Sequence, residues 1–259
     1  MSPESILTVE HLAVRFGGLA ALSDVSFTVG QGEVTSLIGP NGAGKTTAFN
    51  VITGYLRPTT GVICYKQHPL TGLRPHQIAA LGVVRTFQKT SVFGGISVFD
   101  NVLIGLHQRA KAKPWEILLA LPSVRREEEK LREWVMDILD FVGLAYRQNE
   151  LGSALPYGEQ RLLEVAVAMA ADPSLLLLDE PVSGMNPAET VSFMEMVSKI
   201  RARGVTLLLV EHDMRMVMGV SDHVVVLNQG QIIAAGAPAD IQRNSEVIRA
   251  YLGRGARHA

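Results

Sequence analysis

The sequence predicts an α/β fold: a parallel sheet at the centre, an antiparallel β section ahead of it and a helical section inserted within it. Three observations lead there. The runs "EVTSLIG", "SLLLLDEP" and "VTLLLVEH" read as buried strands and are separated by helical runs, the pattern of parallel strands joined by crossover helices. The stretch before them alternates apolar and polar residues in "LSDVSFTV", as half-buried strands do. A glycine-rich loop, "GPNGAGKTT", joins the first buried strand to a helical run.

The elements follow in order. Residues 6–16 and 22–29 read as short strands, broken by Gly17-Gly18 and closed by the turn Gly30-Gln31-Gly32. "EVTSLIG" is a strand, "KTTAFNVITGYL" a helical run and "GVICYKQH" another strand. Residues 95–159 differ and read as a mostly helical insertion. There Leu131, Val135, Ile138, Leu139 and Val142 recur at helical spacing beside a solvated charged face. "PWEILLALPSVRR" fits helix, loop or part of a membrane-partner contact. "RLLEVAVAMAA" reads as helix, "SLLLLDEP" as strand, "PAETVSFMEMVSKIRARG" as amphipathic helix and "VTLLLVEH" as strand. "DHVVVLNQGQIIAAGAP" reads as a hairpin, residues 238–252 as one amphipathic helix and "GRGARHA" as a frayed tail. One domain over 6–252 is expected, its core being 6–94 and 160–237.

Composition narrows the function classes. In 259 residues, 47% are apolar, enough for one large core or two small ones. Lys and Arg number 24 against 25 Asp and Glu. That balance lacks the basic excess of a nucleic-acid binder. The single cysteine, Cys64, forms no internal disulfide or metal cluster and reads as a small buried hydrophobe in a reducing compartment. No apolar run reaches the ~18 residues of a membrane span, and "MSPESILTVEHLAV" does not have the form of a signal peptide. Attachment to a membrane would need another protein.

Gly39 to Thr47 matches the phosphate-loop pattern G-x-x-x-x-G-K-[ST] in the strand–loop–helix setting that pattern requires. Gly39, Gly42 and Gly44 allow the backbone to curl, so that the amides of the loop, with Pro40, Asn41 and Ala43 between, form an anion cradle at a helix N-terminus. Lys45 can reach the β- and γ-phosphates, and Thr46, followed by Thr47, can offer its hydroxyl to Mg²⁺. "LLLLDEP" is a buried strand ending in Asp179, at the carboxyl edge where ligands bind in such sheets. Asp179 can hold the metal through water, and Glu180 can orient or deprotonate an attacking water. Alone, a strand ending in Asp-Glu reads as ordinary surface. Beside a phosphate loop it reads as catalytic.

These motifs resemble the ATP-binding-cassette (ABC) family over almost the whole chain. "FQK" with Gln88 is similar to the family's glutamine loop, "EHD" with His212 to its switch histidine, and "PVSGMNP" to the segment that crosses its dimer interface. The resemblance implies the ABC ATPase fold, a RecA-like P-loop NTPase core. It implies ATP and Mg²⁺ as ligands, Gln88 at the metal and water, and His212 at the γ-phosphate. Phe16 resembles the aromatic that stacks on adenine. "LPYGEQ", residues 155–160, occupies the place of the L-S-G-G-Q signature, which in the family presses on the γ-phosphate bound by the other subunit. Tyr157, Gly158 and Glu159 would there face nucleotide. Pro156 replaces the signature serine and brings neither a hydroxyl nor an amide donor. The loss of one charge-assisted bond costs on the order of 1.5–3 kcal/mol.

Within the family the chain most resembles the ATP-binding subunit of bacterial branched-chain amino acid importers. The carrying segments are "RTFQKTSVFGGISVFDNVLIG", "YGEQRLLEVA", "SGMNPAET", "VEHDMRMVMGVSDHVVVLNQG" and "EVIRAYLG". That implies membrane permease subunits, a second cassette (a non-identical paralogue or another copy), an extracytoplasmic solute-binding protein, and a peripheral place on the cytoplasmic face of the inner membrane. Branches that move urea, short amides or other amino acids, or that serve lipid export, share much of the pattern. A soluble ATPase of DNA repair would need a long coiled coil between phosphate loop and signature, and no sustained heptads occur there.

Overall fold

The computed structural model describes residues 4–86, 92–106 and 122–252. Gln88, the stretch 107–121 and the tail after residue 252 lie outside them. The chain forms two compact units, Met1–Arg85 with Ser174–Ala259, and Thr86–Pro173.

The first unit holds two sheets. Strands β1 (Ser5–Phe16), β2 (Leu19–Gly30), β4 (Thr60–Tyr65) and β5 (His68–Pro69) make an antiparallel sheet in the order β2-β1-β4-β5. The alternation predicted this: Leu7, Val9, Leu22 and Val25 are buried while Glu10 and Asp24 face water. The second sheet runs β10-β9-β3-β8-β7-β6, with β3 (Val34–Ile38), β6 (Val83–Arg85), β7 (Leu175–Asp179), β8 (Thr206–Val210), β9 (His223–Asn228) and β10 (Gln231–Gly236). All its neighbours are parallel except the β9–β10 hairpin. Every residue of β3, β7 and β8 is buried, as expected of parallel strands covered on both faces. One apolar cluster takes side chains from both sheets and from Ala48, Phe49, Val51 and Ile52 of helix α1 (Lys45–Ile52). The strands β3 and β7 therefore end in the phosphate loop and in Asp179, two strands apart across β8 in one rigid sheet.

Short helix α2 (Pro75–Ala80) precedes β6. The second unit is helical: α3 (Val98–Gly105), α4 (Pro122–Val142) and α5 (Tyr157–Ala170) pack on one another. Val135, Ile138, Leu139 and Val142 are buried, as their spacing predicted. The unit extends to Pro173 rather than ending at 159. The reason is that the apolar face of α5 is buried against α3 and α4, so the core resumes only at Ser174.

After β7, helix α6 (Pro187–Ala202) starts at a reciprocal cap. Asn186 Oδ1 accepts from the Ala188 and Glu189 amides at 2.9 and 3.0 Å, and Glu189 Oε2 accepts from the Asn186 amide at 2.9 Å. Helix α7 (Met214–Val220) begins at Asp213, whose Oδ1 accepts from the Arg215 and Met216 amides at 2.8 and 3.0 Å with no reciprocal bond among the described residues. The single helix expected over 238–252 is instead two, α8 (Pro238–Arg243) and α9 (Ser245–Leu252). Asn244 is extended and its Oδ1 accepts from the amides of Glu246 and Val247, so it ends one helix and caps the next.

Candidate nucleotide site

The phosphate loop leaves the buried β3 and enters α1 through two glycines that no other residue can replace. A Cβ on Gly39 would lie 2.0 Å from the Leu227 carbonyl oxygen, and one on Gly44 would lie 2.8 Å from that of Ala21. Both have positive φ, 148° and 108°. Lys45 is only 7% exposed. Its Nζ donates to the carbonyls of Gly39 at 2.6 Å and Pro40 at 3.2 Å, so the ammonium lies across the loop that carries it.

A cavity of about 550 Å³ opens over this loop, within the usual range for small-molecule sites. Asn41, Gly42, Ala43, Gly44, Lys45, Thr46 and Thr47 line it together with Glu180. Leu19, Ala20, Ala21 and Gln229 complete the wall, and no motif announced them. Phe16 is 51% exposed and lies opposite Leu19 at the β1–β2 end, next to that wall rather than in it. Gly39 and Pro40 sit behind the cradle and hold Lys45. His212 follows the end of β8, with its side chain 55% exposed.

Asp179 is where the sequence placed it, at the end of β7, but with a partner the sequence reading missed. Arg85 Nη2 lies 2.6 Å from Asp179 Oδ2, and both side chains are buried. Arg85 Nη1 also donates to Asn50 Oδ1 at 2.7 Å, and its guanidinium lies 5.5 Å from the centre of the Phe49 ring. Burial pushes the Asp179 carboxyl above its ordinary value, while Arg85 pulls it down. The second oxygen, Oδ1, is buried with no hydrogen-bond partner among the described residues. An unpartnered carboxylate oxygen at the carboxyl edge of the sheet, with Thr46 in the wall of the neighbouring cavity, fits an oxygen-ligated divalent ion such as Mg²⁺. Gln88, the third metal-facing residue expected, lies outside the described residues. The signal for Arg85 was present: a cation inside the apolar run "GVVRTF" needs a buried anion.

The signature loop lies in the second unit. Pro156 caps α5 by backbone alone, with φ −55° and ψ 154° and no side-chain bond. Tyr157 is fixed by Arg161, whose Nη2 and Nε donate to its hydroxyl at 2.7 and 3.2 Å. Arg161 in turn pairs with Glu164 at 2.8 Å. Glu159 is neutralised by Arg147 at 2.6 Å and accepts from the Tyr146 hydroxyl at 3.0 Å. The carboxylate that departs from the signature pattern is thus balanced, and the amides of Gly158 and Glu159 sit in the first turn, where a helix leaves its N–H groups unbonded.

A phosphate cradle, a buried carboxylate with an open oxygen and a second carboxylate in the cavity wall define a nucleotide-hydrolysing P-loop protein. The profile of ABC transporters matches residues 22–183, and the chain belongs to that family. A second profile, described as branched-chain amino acid ATP-binding cassette transporter, matches residues 231–257. The chain is 45% identical over 251 residues to the high-affinity branched-chain amino acid transport ATP-binding protein LivG of Escherichia coli K12, covering 96% of this chain and 98% of the relative. It is 44% identical over 249 residues to the corresponding BraF of Pseudomonas aeruginosa, again covering 96% and 98%. Among solved structures it is similar to the ADP conformation of the ABC transporter cassette MJ1267, with TM-score 0.85 and 32% identity over 96% of this chain and 99% of that one. The ABC ATPase fold expected from the motifs is the fold observed, and the chain is an ATPase subunit of this family. Among the described residues, no helix is long and apolar enough to cross a membrane.

Proposed function

We propose that this chain is the ATP-hydrolysing subunit of a branched-chain amino acid importer, peripheral to the cytoplasmic face of the inner membrane. The observation that carries the chemistry is the common cavity of the phosphate loop and Glu180. The solute rests on similarity to LivG and BraF over nearly the full chain and on the matching 231–257 segment.

ATP enters with its phosphates against the amides of residues 41–47. Lys45 exchanges the Gly39 and Pro40 carbonyls for phosphate oxygens, which replaces two neutral acceptors by charged ones. Thr46 and Asp179, with Gln88, would hold Mg²⁺, which supplies neutralisation of the β- and γ-phosphate charge. Glu180 orients a water for in-line attack and accepts its proton. His212, exposed at its loop, donates to the γ-phosphate, and Phe16 stacks on adenine beside the Leu19 wall. A second cassette lays its signature over this nucleotide, while the Tyr157–Glu159 loop of this chain serves the partner's. Membrane permease subunits take up the closing motion, and an extracytoplasmic binding protein delivers the solute.

The test is steady-state ATPase activity of the purified chain across protein concentration, with Glu180→Gln as blank, followed by uptake of labelled leucine in cells deleted for the chain and complemented with each version. Turnover that rises with concentration and vanishes in the variant, with leucine uptake restored only by the wild-type chain, supports the reading. Turnover retained by Glu180→Gln removes the catalytic assignment. Uptake of urea or a short amide restored in place of leucine removes the solute.

A further inference from the structure

We propose that Glu211 is a positioning residue for hydrolysis: its carboxylate holds the segment that carries Glu180 and the segment that carries His212 in one arrangement. The proposal rests on the reading above, that Glu180 and His212 act on the γ-phosphate.

Glu211 follows β8 directly and its residue is 0% exposed. A carboxylate in that position is costly unless donors surround it. Three backbone donors do. Oε1 accepts from the Val182 amide at 3.1 Å. Oε2 accepts from the amides of His212 at 3.0 Å and Asp213 at 3.4 Å. The two oxygens thus address two different stretches of chain, one leaving β7 and one leaving β8.

The stretch leaving β7 needs such a hold. Glu180 has φ 49°, a left-handed conformation that a non-glycine residue keeps only when its surroundings impose it. Its own amide donates to the Val210 carbonyl at 2.8 Å. Pro181 has no N–H, so the next donor in the chain is Val182, and that one is taken by Glu211. The bend that turns the Glu180 side chain into the cavity is therefore fixed on both sides by consecutive residues, Val210 and Glu211. The same carboxylate sets the first turn of the loop that presents His212. An apolar residue at 211 would fill the space but leave three amides without acceptors.

None of the three donors belongs to the phosphate loop at 39–47, so the binding of nucleotide is separable from this arrangement. That separation gives the test. In the full-length chain, Glu211→Gln keeps size and one acceptor oxygen but turns an amide N–H₂ toward one of the two stretches. Glu211→Leu removes both acceptors. We expect kcat to fall by about tenfold or more in Glu211→Gln and further in Glu211→Leu, with KM for ATP changed by no more than about threefold. In amide hydrogen exchange of Glu211→Leu, which removes both acceptors, Val182 and His212 should lose protection together, while Leu207 to Leu209 and α1 stay unchanged.

A fall in kcat that only tracks the folded fraction, or a matching rise in KM, overturns the proposal, because a merely structural residue would behave so. Loss of protection in one stretch alone also overturns it. If neither variant folds, exchange in the wild-type chain decides. Val182 and His212 amides protected like β8 support the clamp, and exchange at the rate of open loops removes it. Turnover that persists in Glu180→Gln fails the catalytic reading itself, and Glu211 then has no reaction to position.

Discussion

The Arg85–Asp179 pair makes the sharpest energetic prediction. Replacement of Arg85 by Met keeps an unbranched apolar stem and removes the guanidinium with its charge and its stacking on Phe49. Asp179, whose side chain is fully buried, then has no counter-charge at 2.6 Å, and Asn50 loses a donor at 2.7 Å. Breaking a buried pair from one side costs about 3–5 kcal/mol. The pH dependence has a definite sign. Burial already raises the Asp179 carboxyl, Arg85 opposes that, and the neighbouring Glu180 adds to it. Without Arg85 the folded-state value rises further above the unfolded one. A carboxyl raised on folding adds stability below its unfolded pKa and forfeits it as pH climbs through the folded value. The deficit of Arg85→Met is therefore largest at alkaline pH and shrinks on acidification toward pH ~5. Urea unfolding followed by far-ultraviolet circular dichroism at several pH values measures it. Asp179→Asn in the Arg85→Met background should recover a large part of the loss, since the buried carboxylate left without its guanidinium partner is then gone. A deficit under about 1 kcal/mol, or one indifferent to both pH and Asp179→Asn, refutes the reasoning.

Two further outcomes are expected. Pro156→Ser restores a hydroxyl and an amide at the N-cap of α5, and turnover of the concentrated chain should rise by about tenfold, the equivalent of one charge-assisted bond; an unchanged rate means the phosphate-facing amides suffice. Asn186→Ala removes the acceptor for two helix amides and should lower the unfolding free energy by about 1 kcal/mol, read from urea titration, whereas Asn186→Asp should leave it nearly unchanged.

Much of this protein was written in local pattern. Four consecutive leucines before Asp179 specify a buried parallel strand by themselves, and the phosphate loop carries its geometry in three glycines and a lysine. Alternation in β2 and helical spacing in α4 fixed which faces are buried. What escaped was long-range pairing. Arg85 and Asp179 are far apart in sequence, and only the β6–β7 register, Arg85 opposite Leu177, brings them together. Glu211 left no local signal because its partners are backbone amides, one of them 29 residues away at Val182. The break at Asn244 lies inside an amphipathic pattern that two short helices satisfy as well as one long one. The cavity wall of Leu19, Ala20 and Ala21 is a β-hairpin end meeting the phosphate loop, which no period in the sequence encodes.

The place where the chain leaves the sheet and where it comes back has an evolutionary consequence. It departs after Arg85 and resumes at Ser174, and the Gly82 carbonyl accepts from the amides of both Ser174 and Leu175, at 3.0 and 3.1 Å. Exit and re-entry thus lie on adjacent parallel strands, about 5 Å apart across the ladder and, since Arg85 is level with Leu177, about 10 Å apart along it. A graft between such stubs asks little of the host beyond two ends that bridge this short span. Descendants of one ATPase can then trade the inserted helices for others while the hydrolytic sheet is inherited untouched.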